Sequence, residues 1–198
     1  MNTPIPLSIP VIQPFLHKDQ TFDIYSRLLA ERIVFLKGEL TEELANLIVA
    51  QLLFLDAEDP EKDISLFINS SGGLATAAMT VYDAMKQLRT NVTTICVGTA
   101  AAMGAFLLSS GTKGKRYALP HSRIKLQQPT GNTEGNATDI EVAAQEILYL
   151  KETLNQILAE NTGKTQKQIE VDLNRNLFLS AEEAKKYGLI DNIVTKIP

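Results

Sequence analysis

Apolar residues recur along this chain in two rhythms, alternating strand-like runs and helix-spaced stripes, after a start broken by prolines at positions 4, 6, 10 and 14. Those prolines block helix up to about residue 15. Next, FDIYSRLLAER predicts a short helix and IVFLKG a strand. Thr41 is placed to cap a helix, with Glu42 and Glu43 in its first turn. Leu44, Leu47, Ile48, Leu52 and Leu55 then keep helical spacing as far as Pro60. Two strand–helix units follow. The strand ISLFIN ends in SSGG before a helix over about 74–88, and TTICVG ends in TAAAMG before a helix over about 101–109. KRYAL and RIKLQQ predict further strands joined by the turn LPHS. The longest helical pattern covers 139–161, with Ile140, Ala143, Ala144, Ile147, Leu150, Leu154 and Ile157 on one face. Val142, Leu148, Tyr149 and Leu158 lie off that stripe, so the apolar surface is broad enough to predict self-association. Gly163 ends this helix as a left-handed cap. TQKQIEVDL and SAEEAKKYG predict two short helices, the second capped by Ser180 and stopped by Gly188, and LIDNIV predicts a closing strand. Strands alternating with helices predict an α/β fold with largely parallel strands.

Composition narrows the function classes. A chain of 198 residues, 44% hydrophobic and 21% charged, suits one domain with a sizeable core. Its net charge of −4 offers nothing to a phosphate backbone, which excludes nucleic acid as the partner. Lys113, Lys115 and Arg116 are the densest basic group and read as a solvated turn. The single cysteine, Cys96, lies inside the apolar run TTICVG, where a core packing role is expected rather than a reactive thiol. No internal disulfide is possible, which suits a reducing compartment. The start of the chain has neither the basic n-region of a signal peptide nor the arginines of a transit peptide. The longest apolar run, 95–108, is shorter than the ~18 residues of a membrane span and is broken by Gly98 and Thr99. A soluble protein is expected.

The chemistry is concentrated at the two small-residue turns. A glycine pair that ends a strand and opens a helix presents backbone N–H groups to whatever lies above it. Amides of Gly72 and Met103, brought side by side, would form an oxyanion hole; close helix–strand packing is the plainer explanation of the same small residues. Neither turn carries GxxxxGK[ST] or G-x-G-x-x-G, so no nucleotide cofactor is expected. A hydrolase would also need a nucleophile and a base. His17 reads as a surface residue and His121 as a solvated turn histidine. Ser109 and Ser110 fall away from the turn, and Ser70 and Ser71 have no evident partner. Lys125 shares a strand face with Gln127, but no serine can be assigned to it. The residues alone assemble no triad.

Specific strings then identify a family. FDIYSRLLAERIVFL, ANLIVAQLLFLDAEDPEKDI, FINSSGG, GTAAAMGAFLLSSGTKGKRYALPHSRI, QQPTGNTEGNATDIE and LFLSAEEAKKYGLID resemble the proteolytic subunit of the Clp protease, the ClpP family, over about residues 11–194. The resemblance implies a crotonase-like α/β fold, with an N-terminal axial arm at 1–21 and one head-and-handle domain at 22–198, the handle spanning about 127–161. It implies heptameric rings stacked face to face around a chamber lined by Ser-His-Asp triads and fed by an ATP-dependent Clp unfoldase. The family's serine lies in AASMG, which here is AAAMG and places Ala102 at the nucleophile. Its histidine lies in IHQP, here LQQP, which places Gln127 at the base. Its aspartate lies two residues before the FLSA phenylalanine, which places Asn176 there.

Ala102 has no attacking oxygen, Gln127 cannot exchange a proton near neutral pH, and Asn176 keeps a carboxylate's shape without its charge. The resemblance therefore implies a catalytically degenerate member of the ClpR type, a serine-peptidase homologue that is not itself an enzyme, with Gly72 and Met103 as a vestigial oxyanion hole. Two further departures stand out. Ser71 replaces the proline of the family's SPGG, and Asn174 replaces an acidic residue used between rings, while Arg175 is kept as a ring–ring contact candidate. The expected partners are active ClpP paralogues, a Clp unfoldase and unfolded polypeptides, with no nucleic acid, membrane, cofactor or metal. The expected location is the plastid stroma, for a plastid-encoded chain, or the cyanobacterial cytoplasm. Two other readings remain open at this level. One is a hydrolase with a shifted active site, using Lys125 or His121 with the Gly72 and Met103 amides. The other is a homo-oligomeric binding chamber.

Overall fold

The computed structural model describes residues 24–131 and 133–196. The expected axial arm at 1–21 and His17 lie outside the described residues. The first elements are α1 (Ile24–Ala30) and β1 (Ile33–Leu40). α2 (Glu42–Glu58) starts where the sequence predicts, because the Thr41 hydroxyl accepts the Leu44 N–H and Glu42 and Glu43 face the unpaired amides of the first turn. β2 (Ile64–Gly73), α3 (Ala75–Gln87), β3 (Val92–Ala101) and α4 (Met103–Ser109) form the two predicted strand–helix units. Every residue of α4 is buried, which is why its sequence shows no amphipathic stripe. β4 (Arg116–Ala118) and β5 (Arg123–Leu126) follow. The long helix α5 (Ala137–Thr162) runs from an Asn136 cap to Gly163, which takes the left-handed conformation at φ 73°. α6 (Gln166–Leu173), β6 (Leu177–Leu179), α7 (Ala181–Tyr187) and β7 (Asn192–Ile193) complete the described chain. α7 carries a full capping box between Ser180 and Glu183.

The strands run β1-β2-β3-β4-β7, all parallel, giving the mixed α/β architecture that the sequence predicts. β3 serves two neighbours in succession. Thr94, Ile95 and Cys96 pair with β4, while Thr99, Ala100 and Ala101 pair with β5. The fork is made at Gly98, which sits at φ 84°, and the register with β2 jumps from Ile68↔Cys96 to Ser70↔Ala100. The Thr99 N–H released by this bulge is taken by the Asn69 side-chain oxygen at 3.2 Å. β6 has no counterpart among the predicted strands; it pairs antiparallel with β5, and three residues carry too little periodicity to announce a strand. Among the described residues, no helix is long and apolar enough to cross a membrane.

One basic group is corrected. Lys113 is exposed, but Lys115 is half-buried and ion-paired with Asp63, and Arg116 is 4% exposed. Arg116 opens β4 on its inward face. Its guanidinium meets both carboxylate oxygens of Asp191, at 2.9 and 2.7 Å, and donates to the carbonyls of Ser109 and Asn161. The supposed solvated turn is thus the clamp that ties α4, the end of α5 and the β7 approach together. Burial pushes the Asp191 carboxyl up, but Arg116 and the backbone amides of Arg116 and Gly114 outweigh it and hold the group below its ordinary value.

A second carboxylate fixes the end of α2 to the segment that leads into β3. Asp56 accepts from the backbone amides of Arg89 and Thr90, the Thr90 hydroxyl and the Arg89 guanidinium. Burial works against its charge, yet these donors lower its pKa to about 2. A carboxyl whose folded pKa lies below its ordinary 3.8 stabilises the fold above that value and loses the contribution as pH falls from there toward 2. Asp56→Asn is therefore expected to lower the urea midpoint at pH 7. The gap from the parent chain should shrink steadily between pH 4 and pH 2, as equilibrium unfolding across that range will register.

α5 is divided along its length. Leu154, Asn155, Ile157 and Leu158 are buried against the rest of the protein, so Leu158 belongs to the docked face and not off it. Val142, Leu148 and Tyr149, further toward the helix start, are each at least 60% exposed. The apolar breadth seen in the sequence is therefore a standing surface on the first half of the helix.

Candidate functional site

The carboxyl ends of β1, β2 and β3 come together at one place, where open parallel sheets ordinarily hold their ligands. β2 closes on Gly72 at φ 107° and Gly73 at φ 146°, regions that side chains rarely adopt. A Cβ on Gly73 would stand 2.6 Å from the Leu40 nitrogen and closer still to its carbonyl oxygen. A Cβ on Gly72 would stand 2.9 Å from the Ala102 methyl and 3.6 Å from the Met103 nitrogen. The two small-residue turns thus lie side by side, and the glycines are what let them touch.

β3 ends in a sharp elbow. Ala102, the residue between β3 and α4, has φ 48° and ψ −113°, a conformation costing an alanine about 1–3 kcal/mol. It is over-determined by its neighbours. The Ala102 N–H donates to the Lys125 carbonyl at 2.8 Å, and its carbonyl accepts the Phe106 N–H at 3.0 Å. Strained strand-to-helix turns of this kind raise one side chain above a sheet, and here the side chain is a methyl. The elbow persists without anything reactive on it.

The antiparallel ladder brings in the other two positions. Leu126 pairs with Leu177, Lys125 with Phe178 and Ile124 with Leu179. Gln127 follows the last paired residue of β5, and Asn176 precedes the first paired residue of β6. β5 also pairs with β3 up to Ala101↔Lys125, so Ala102 and Gln127 follow the ends of neighbouring strands and both line one cleft, while Asn176 precedes β6 and does not line it. Gln127 is half-buried, whereas Asn176 and the adjacent Asn174 and Arg175 are exposed.

A cleft of about 480 Å³ lies against this elbow, lined by Ala102, Met103, Ser71, Gly73, Glu39 and Gln127, among others, with Gln128–Gly131 forming its far wall. Ser70, unpartnered in the sequence reading, is 1% exposed; its hydroxyl donates to the Gly38 carbonyl at 2.5 Å and accepts the Gly72 N–H at 3.1 Å. The Gly72 amide is therefore occupied from within its own strand. The Met103 amide opens α4, where intrahelical acceptors are lacking. Ser71 is exposed and lines the cleft.

Other candidates lie elsewhere. The Lys125 ammonium sits 5.4 Å from the centre of the Phe178 ring, its cross-strand partner, and Lys125 does not line the cleft. His121 is exposed in the turn before β5 and does not line it either. Cys96 is fully buried, and burial raises its thiol to about 11, so it packs the core as expected. Glu39, Gln128 and Thr130 are not singled out by the sequence, because the pairing that sets Glu39 beside Gly72 is made only in the folded sheet. Among the described residues, the lining offers hydrogen bonds and a single ionisable side chain, the Glu39 carboxylate. The family model for Clp protease matches residues 17–197 of the chain.

Proposed function

Because this chain belongs to the Clp protease family, we propose that it is a non-catalytic, ClpR-type subunit of the proteolytic core. It takes a place beside active ClpP paralogues in stacked heptameric rings, against which an ATP-dependent Clp unfoldase docks to deliver unfolded proteins. One observation carries this reading. The strained elbow is present, while the three positions that the resemblance assigns to catalysis hold Ala102, Gln127 and Asn176. A single Ser→Ala exchange would leave a base and its orienting carboxylate behind; here both are neutral amides, and no proton can be moved to or from a peptide bond.

The exposed apolar half of α5 supports assembly, since a surface carrying Val142, Leu148 and Tyr149 is poorly suited to water. Arg175, exposed between two asparagines, is the candidate ring–ring contact, and its counter-charge is supplied by a partner chain. The subunit acts in the plastid stroma or the cyanobacterial cytoplasm.

The test is purification in two forms. The chain isolated alone is expected to leave fluorogenic peptides intact and to gain no mass from an active-site-directed fluorophosphonate. The endogenous complex, weighed intact by native mass spectrometry, is expected to contain active paralogues as well as this chain. Steady peptide cleavage by the isolated chain, lost on changing Lys125 or His121, would favour a shifted active site instead. A native complex made only of this chain would favour a homo-oligomeric binding chamber.

A further inference from the structure

The cleft retains one charge. Among the described residues that line it, Glu39 is the sole ionisable one; the rest of the polar lining is Ser71, Gln127, Gln128 and Thr130. Glu39 is exposed, and among the described residues its carboxylate has no ion pair and no side-chain hydrogen bond. Its backbone pairs with Gly72, directly beside the Ala102 elbow, so its position is held by the sheet and not by a loop. Lys125, on β5, is engaged over Phe178 and does not line the cleft. An unpaired carboxylate at the wall of an otherwise neutral, polar cleft creates a negative potential that favours a cation.

We propose that this cleft binds, without cleaving, a segment of polypeptide and selects a lysine or arginine side chain through Glu39. The occupant is a polypeptide because the inference rests on the chamber role given above; the preference for a basic side chain rests on Glu39 alone. Loss of catalysis thereby leaves a site that can hold basic stretches of a substrate chain while active neighbours cut it.

Binding of labelled Gly/Ser peptides to the full-length chain, followed by fluorescence anisotropy at low ionic strength, tests this. Three peptides differ only in a central Arg, Gln or Glu. The Arg peptide is expected to bind about three-fold more tightly than the Gln peptide, the scale of a partly exposed ion pair, and the Glu peptide more weakly than both. The difference should vanish in Glu39→Gln and at 1 M salt, where the screening length is about 3 Å. Glu58→Gln, which removes an exposed acid at the end of α2, should keep it. Equal affinities for the three peptides, no binding by any of them, or a preference that survives Glu39→Gln would each overturn the proposal. The same samples are checked for cleavage by mass. Cut peptides would defeat the non-catalytic reading, whereas intact peptides bound without charge preference would defeat only the role of Glu39.

Discussion

A chain carrying Ala102→Ser, Gln127→His and Asn176→Asp together is expected to form a covalent fluorophosphonate adduct, while Ala102→Ser alone is not. The serine of the single variant would stand on a retained elbow, since the strain at Ala102 is imposed by its hydrogen bonds to Lys125 and Phe106 and not by its own side chain. It would still be an ordinary alcohol, because Gln127 has no lone pair basic enough to take its proton. Adding the histidine and the aspartate places a base just after the last paired residue of β5 and its orienting carboxylate just before the first paired residue of β6. Members of such a set act as a unit, so the gain on completing it is ~10⁴–10⁶ in rate rather than a sum of small steps. Intact-mass measurement of adduct against time separates the variants directly. A folded triple variant that stays unlabelled would mean that the three positions do not converge, and the non-catalytic reading would lose its structural basis.

Gly73→Ala should be the most damaging small substitution at the site. The position demands φ 146° and leaves no room: the new methyl would fall on the backbone of Leu40, whose carbonyl also accepts the Leu74 N–H. Backbone atoms of a paired strand cannot move aside as a flexible side chain does, so the ends of β1 and β2 would separate. A loss of about 3–5 kcal/mol is expected, at the upper end for single replacements, equivalent to about 6–20 °C in Tm for a chain of this size. Gly38→Ala serves as the control. That glycine is at φ 80°, but a methyl there meets nothing within 4 Å, so only the strain of about 1 kcal/mol remains. Differential scanning calorimetry of the two variants compares them, and near-equal Tm values would show that the close approach at Gly73 is not constraining.

Elements whose causes lie within a few residues of one another were legible in the sequence. The Thr41 cap with Glu42 and Glu43, the Ser180 cap, and the Gly163 stop are local arrangements and appear where they were expected. Arg116 was misjudged because its charge pattern was read against neighbours, whereas its partner Asp191 is 75 residues away. β6 was missed for a related reason: its three residues become a strand only because β5 is there to pair with them. The site divides in the same way. The positions of Ala102, Gln127 and Asn176 came from resemblance and not from spacing, and nothing local marks Glu39 as a neighbour of Ala102.

The chain's order of residues by itself determined an α/β architecture, its helix boundaries, a buried Cys96 and the chemical poverty of the small-residue turn. These depend on propensity, capping and hydrophobic periodicity, which act over one or two turns of chain. The tertiary structure alone decided the left-handed twist of the backbone at Ala102, the closing of the Gly72 amide by Ser70, the clamp at Arg116 and the cleft that holds Glu39. Each of these depends on strand register and on contacts between distant segments, and such convergence is paid for by the cooperative core and not by any local stretch.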